Sequence, residues 1–108
     1  MRTIVFLSSP DLSETGDFVY RVRQPGRALS ALEGIRVVSL LSISALRPRL
    51  LQEADVVICD MVGDDDLLPQ VRARSGRTVY EMSDNIFDIQ PHNPCRGFFH
   101  DPHNRAAI

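Results

Sequence analysis

Apolar residues in this chain come in short blocks separated by polar stretches. Ile4-Val5-Phe6-Leu7-Ser8, Ile35-Arg36-Val37-Val38-Ser39-Leu40-Leu41 and Val56-Val57-Ile58-Cys59-Asp60-Met61 are nearly continuous apolar runs. Runs of this length, rich in β-branched residues, are typical of parallel strands covered on both faces. Arg77-Thr78-Val79-Tyr80-Glu81 has the residue types of a fourth strand. Between these blocks the period changes from two to about 3.6. Pro25 suits the first position of a helix, Ala28, Leu29 and Leu32 recur with helical spacing, and Gly34 can stop it. That predicts a helix over about 25–33. Pro48 opens another, with Leu50, Leu51 and Ala54 inward and Asp55 leading into the third strand. Asp64-Asp65-Asp66 precede Leu67-Leu68-Pro69-Gln70-Val71-Arg72-Ala73-Arg74. Acids there would cap a third helix, Arg72 and Arg74 would complement the opposite pole of its dipole, and Ser75-Gly76 would close it. The three acids in a row also invite a metal reading.

The resulting order, β-α-β-α-β-α-β, predicts a three-layer α/β domain, Rossmann-like, with a parallel sheet of strand order 2-1-3-4 and right-handed crossovers. In open sheets of this kind ligands bind outside the carboxyl ends of the strands, where the strand order reverses. Here that point lies between the first and third strands, which Ser8, Ser9 and Asp60 to Gly63 leave. Glu81 to Asn85 leave the neighbouring strand at the same edge. The stretch from Ser9 to Gln24 shows no clear periodicity, and a connection that long inside a compact domain is uncommon unless it binds something. It carries Tyr20, Arg21 and Arg23.

Composition narrows the possibilities. With 108 residues there is one domain at most, small for an enzyme with its own nucleotide site. The net charge of −2 exerts no general pull toward nucleic acid or an anionic membrane, so a phosphate site would have to be local. No apolar run reaches the roughly 18 residues of a membrane span, and the amino-terminal run is too short for a signal peptide. A cytoplasmic location is expected. Two cysteines, Cys59 in an apolar run and Cys95 in a loop, do not make a disulfide framework.

Several motifs are missing. The first strand is followed by Ser8-Ser9-Pro10-Asp11-Leu12 rather than G-x-G-x-x-G, and neither a G-x-x-x-x-G-K-[ST] loop nor a G-x-S-x-G elbow occurs. Asp60 at the end of the third strand could suggest a receiver-domain phosphoacceptor. The acidic pair after the first strand and the late lysine that a receiver needs are absent. His92, Cys95, His100 and His103 are spaced H-x2-C-x4-H-x2-H, which matches no standard zinc finger. No metal is assigned to them.

The densest polar stretch is Val79-Tyr80-Glu81-Met82-Ser83-Asp84-Asn85-Ile86-Phe87-Asp88, followed by Pro91-His92-Asn93-Pro94. It resembles the "vvYe-x-x-Dn-x-Fd … p-x-Np" segment near the end of the amino-terminal domain in a group of bacterial glycosyltransferases of the GT-B fold. Tyr20-Arg21-Val22-Arg23-Gln24-Pro25-Gly26-Arg27-Ala28-Leu29 resembles their "YR-x-R-x-P-x-x-x-L" element. The two elements, with the strands between them, span most of the chain.

The resemblance implies the acceptor-side, amino-terminal half of a two-domain enzyme that moves a sugar from a nucleotide-sugar donor to an acceptor. The donor would be held by a carboxyl-terminal domain outside this chain, so the isolated chain is expected to be inactive. No metal or other cofactor is implied. The expected base is Asp84, with Glu81 as second candidate, and Ser9, Tyr20, Arg21, Arg23, Asp60 and Asn85 are expected to bind substrate. The alternative is a non-enzymatic α/β binding or interaction module. Asp101 to Ile108 has a cap and good helix formers but only about two turns, so the chain reads as cut inside a helix. A truncated sheet edge at Thr78 to Tyr80, or the tail from Phe98, would then favour a homodimer.

Overall fold

In the computed structural model, residues 1–10, 18–81 and 101–102 are described. Four parallel strands, β1 (Arg2–Ser8), β2 (Ile35–Leu41), β3 (Val56–Asp60) and β4 (Arg77–Glu81), form one sheet in the order β2-β1-β3-β4. The helices are α1 (Gln24–Ser30), α2 (Arg47–Glu53) and α3 (Leu67–Ala73). This is the three-layer α/β, Rossmann-like arrangement that the alternation of blocks predicts.

The inner strands β1 and β3 are apolar on both faces because both faces are covered, whereas the edge strands β2 and β4 carry exposed Arg36, Arg77 and Val79. Val5 and Leu7 of β1, Leu40 of β2, and Val57 and Cys59 of β3 pack with Leu51, Ala54 and Leu67 of α2 and α3 into one buried cluster. Phe6, the next residue along β1, points to the opposite face and approaches α1 at Gly26. A Cβ placed on Gly26 would lie 3.6 Å from Val37 and 3.9 Å from Phe6, so the helix rides close to the sheet.

The α1 region differs from the expectation of a helix over 25–33 preceded by an irregular connection. Val19–Arg23 forms a π-helical turn that runs directly into α1, and the Gln24 N–H bonds to the Val19 carbonyl five residues back. Pro25 lacks an N–H, and its ring would crowd the carbonyl four residues earlier in an ordinary helix. The wider π turn just before it relieves that conflict. Val22 and Gly26 are buried and Phe18 and Leu29 half-buried. That spacing is itself a helical stripe.

The capping expectation for Asp64-Asp65-Asp66 is also corrected. Asp66 occupies the N-cap of α3 but makes no side-chain cap bond. Asp64 instead accepts the Asp66 N–H at 3.2 Å and turns its carboxylate toward Arg47. At the far end, Arg74 serves α2 rather than its own helix. Its guanidinium donates to the carbonyls of Leu51 at 3.0 Å and Ala54, and to the Arg77 carbonyl at 2.7 Å and Thr78 Oγ1 at 2.8 Å. The last carbonyls of a helix have no partner within it, so a buried arginine supplies one. Gly76 follows because a Cβ there would fall 2.5 Å from the Asp55 carbonyl and 2.8 Å from that of Ala54. Gly34 sits at φ 79, in the left-handed region, where its carbonyl accepts the Arg2 N–H at 2.8 Å.

Of the tail from Phe98 expected to form a homodimer surface, only Asp101 and Pro102 are described, and both are exposed. Among the described residues, β4 pairs with β3 alone.

Candidate functional site

The carboxyl ends of the strands carry the polar groups. Register places Ser8 beside Asp60 and Asp60 beside Glu81. All three fall at strand positions that share the Phe6 face, so they make a row across β1, β3 and β4. Ser8 and Asp60 are each 1% exposed. The Ser8 hydroxyl is buried and makes no hydrogen bond among the described residues. Chain direction then changes sharply, because Met61 adopts φ 53, uncommon for a residue with a Cβ. The Met61 N–H still reaches the Glu81 carbonyl at 3.1 Å, which ties the ends of β3 and β4 together.

Glu81 is met by Arg21 from the π-helical turn. Nη1 of Arg21 lies 2.7 Å from Oε1 of Glu81, with both side chains about one-third exposed. The fold therefore joins two residues separated by 60 positions. Both were expected at the site from sequence, as was Asp60 next to them. Two others go elsewhere. Tyr20 is 70% exposed on the outside of the turn. Arg23 lies over the Phe18 ring, 5.5 Å from its centroid, and borders a shallow hollow with Arg27 and Ser30. Asp84 and Asn85 lie outside the described residues, as do His92, Cys95, His100 and His103. Among the described residues no cluster of three His, Cys, Asp or Glu could hold a metal ion.

Ser9 opens on the other side of the sheet. It lines an open cleft of about 650 Å³ formed where the chain leaves β1, β2 and β3 and enters α2 and α3. This is the switch-point crevice of the fold. Its wall is built on Arg47, which is 3% exposed. Arg47 Nε donates to Gln70 Oε1 at 2.7 Å, Nη1 to the Ser42 carbonyl at 3.1 Å and to Asp64 Oδ2, and Nη2 to Asp64 Oδ1 at 2.9 Å. A fork-to-fork arginine–carboxylate pair of this kind fixes both side chains in orientation. Ser42, Ser44, Asp66 and the exposed Ile43 complete the rim.

Sequence reasoning singled out Ser9 from this cleft, read Asp64 only as a helix cap or a metal candidate, and missed Arg47 and Gln70. One signal was available, an arginine directly before the helix-opening Pro48 and an acid directly after the Gly63 that follows β3. Pairing them required knowing that α2 and α3 start side by side.

Two groups beneath the edge, the buried Cys59 and the half-buried Tyr80, hold their protons more tightly than usual. Burial pushes the Cys59 thiol up to about 11, so it stays protonated and is a poor nucleophile. The Tyr80 phenol is raised as well, chiefly by burial and further by Cys59, Asp60 and Asp64. Its hydroxyl donates to the Val62 carbonyl at 2.8 Å, bracing the loop that forms the cleft wall. No helix among the described residues is long and apolar enough to cross a membrane. Comparison with known protein families, with curated proteins and with solved structures gives no match.

Proposed function

We propose that this chain is the acceptor-side, amino-terminal domain of a GT-B-type glycosyltransferase that moves a sugar from a nucleotide-sugar to an acceptor hydroxyl. The observation that carries the reading is the contact between Arg21 and Glu81, 2.7 Å apart. Each belongs to one of the two stretches that resemble this family. Their meeting at the carboxyl edge supports reading the two likenesses as parts of one site.

In this reading Asp84, or as second candidate Glu81 at the edge, accepts the proton of the acceptor hydroxyl as its oxygen bonds to the anomeric carbon. The nucleoside diphosphate leaves with the electrons of the broken bond. Arg21 orients Glu81, and the buried Asp60 and Ser8 beside it form the floor. The donor is held by a further domain that residues 1–108 do not include, and the acceptor is the partner of this half.

The test compares residues 1–108 with the same chain joined to the sequence its gene encodes downstream. The isolated chain should neither bind nor hydrolyse uridine or guanosine diphosphate sugars at micromolar concentration. The extended protein should transfer a sugar, and Glu81→Gln or Asp84→Asn in it should lower kcat by roughly 10²–10⁴-fold, the usual worth of a general base. Micromolar binding of a nucleotide-sugar by the isolated chain would refute the division of labour. An extended protein that transfers nothing but holds a protein partner would make the domain an interaction module.

A further inference from the structure

The cleft beside Ser9 has a charge balance that selects its ligand. At about 650 Å³ it lies in the size range of small-molecule sites. Among the described residues its charged lining is one guanidinium, Arg47, against two carboxylates, Asp64 and Asp66. A site for phosphate or carboxylate normally presents arginine or lysine donors with capacity to spare. Arg47 has little to offer. Four of its five N–H donors are taken, by Gln70 through Nε, by the Ser42 carbonyl and Asp64 through Nη1, and by Asp64 through Nη2. The guanidinium is also only 3% exposed, so it props up the wall without reaching the opening. An anion entering here would lose its hydration and face a carboxylate excess.

The groups left for a ligand are of another kind. Asp66 offers carboxylate oxygens, Ser9 a hydroxyl, and Gln70, whose Oε1 is held by Arg47, offers its amide N–H groups. Ile43, 76% exposed, stands at the mouth near Pro48. Acceptors for O–H donors beside apolar surface fit a molecule with hydroxyls along its edges and C–H groups on its faces. We infer that this cleft binds an uncharged saccharide. That binding does not depend on the glycosyltransferase reading.

Saturation-transfer NMR on the protein with neutral disaccharides, a hexose 6-phosphate and inorganic phosphate tests this directly. Neutral disaccharide protons should receive saturation, and the sugar phosphate and phosphate should bind more weakly or undetectably. Ala45→Trp, at an exposed position on the cleft wall, should fill the space and weaken saccharide binding by roughly tenfold. Asp66→Asn should also weaken it, without lowering the unfolding midpoint, so the outcome stands even if the tryptophan variant folds poorly. Tighter binding of the sugar phosphate or of phosphate, no saccharide binding, or binding unchanged in both variants would overturn the inference. A saccharide held in the cleft by an extended protein that transfers no sugar would instead refute the enzymatic reading and leave the cleft assignment standing.

Discussion

Arg47 and Asp64 face each other with two parallel contacts, Nη1 to Oδ2 and Nη2 to Oδ1, and so lock the starts of α2 and α3 together. The arginine side chain is 4% exposed and the aspartate 31%, an uneven sharing of burial that decides what each substitution does. Asp64→Asn leaves a buried guanidinium without its counter-charge and should destabilise by about 2–4 kcal/mol. Arg47→Met with Asp64→Asn removes the buried charge as well and should cost less than the two single changes added together. A double-mutant cycle in urea checks this, and additive losses would refute the coupling.

The Arg21–Glu81 pair should behave differently, because both side chains keep about a third of their surface in water. Exposed pairs contribute little. Glu81→Gln should change unfolding free energy by about 1 kcal/mol or less. A loss much larger than that in thermal or urea unfolding would mean that Glu81 is a structural support, and a loss of transfer in the variant could no longer be read as chemistry.

Two glycines give opposite expectations. Gly76→Ala would place a Cβ 2.5 Å from the Asp55 carbonyl and 2.8 Å from the Ala54 carbonyl, both fixed backbone atoms. It should destabilise by about 2 kcal/mol or more, in the range of overpacking changes. Gly26→Ala would meet Val37 and Phe6 side chains at ordinary contact distance inside α1. There the gain in helix propensity should stabilise by up to about 1 kcal/mol. Unfolding midpoints that shift in the same direction for both would contradict the packing.

Alkaline pH should weaken the fold from about pH 9. Cys59 titrates near 9.0 when exposed and near 11 when buried in the fold. Tyr80 is raised above its ordinary 10.0 in the same direction. In each case the folded state holds the proton more tightly, so the stabilisation is complete below the unfolded value and is lost as pH rises past it toward the folded one. The loss should be on the order of 2 kcal/mol by pH 11 from Cys59 alone. Urea unfolding at pH 7.5 and 10.5 measures it, and Cys59→Ala, though less stable at both, should show the smaller difference. An identical pH dependence in the variant would show that other groups control it.

The strands were legible because β-branched, aromatic and other apolar residues gather there in short blocks bounded by polar stretches. Ile35–Leu41 and Arg77–Glu81 begin and end where composition places them, and right-handed crossovers then leave few orders besides β2-β1-β3-β4. Pro48 and Gly34 marked local backbone requirements that hold wherever the segment sits. The positions of Ser9, Asp60 and Glu81 at the carboxyl edge followed from strand ends alone. What the linear order could not determine was which charges meet. Asp64 looks locally like a helix cap, yet 17 residues separate it from the arginine that takes it, and only the packing of α2 beside α3 brings that buried cation within reach. Arg21 and Glu81 are 60 residues apart, and their pairing depended on a π-helical turn that Pro25 disguised as the start of a helix. Local propensity acts over a few residues, whereas a buried charge must find whichever partner the closed fold puts next to it.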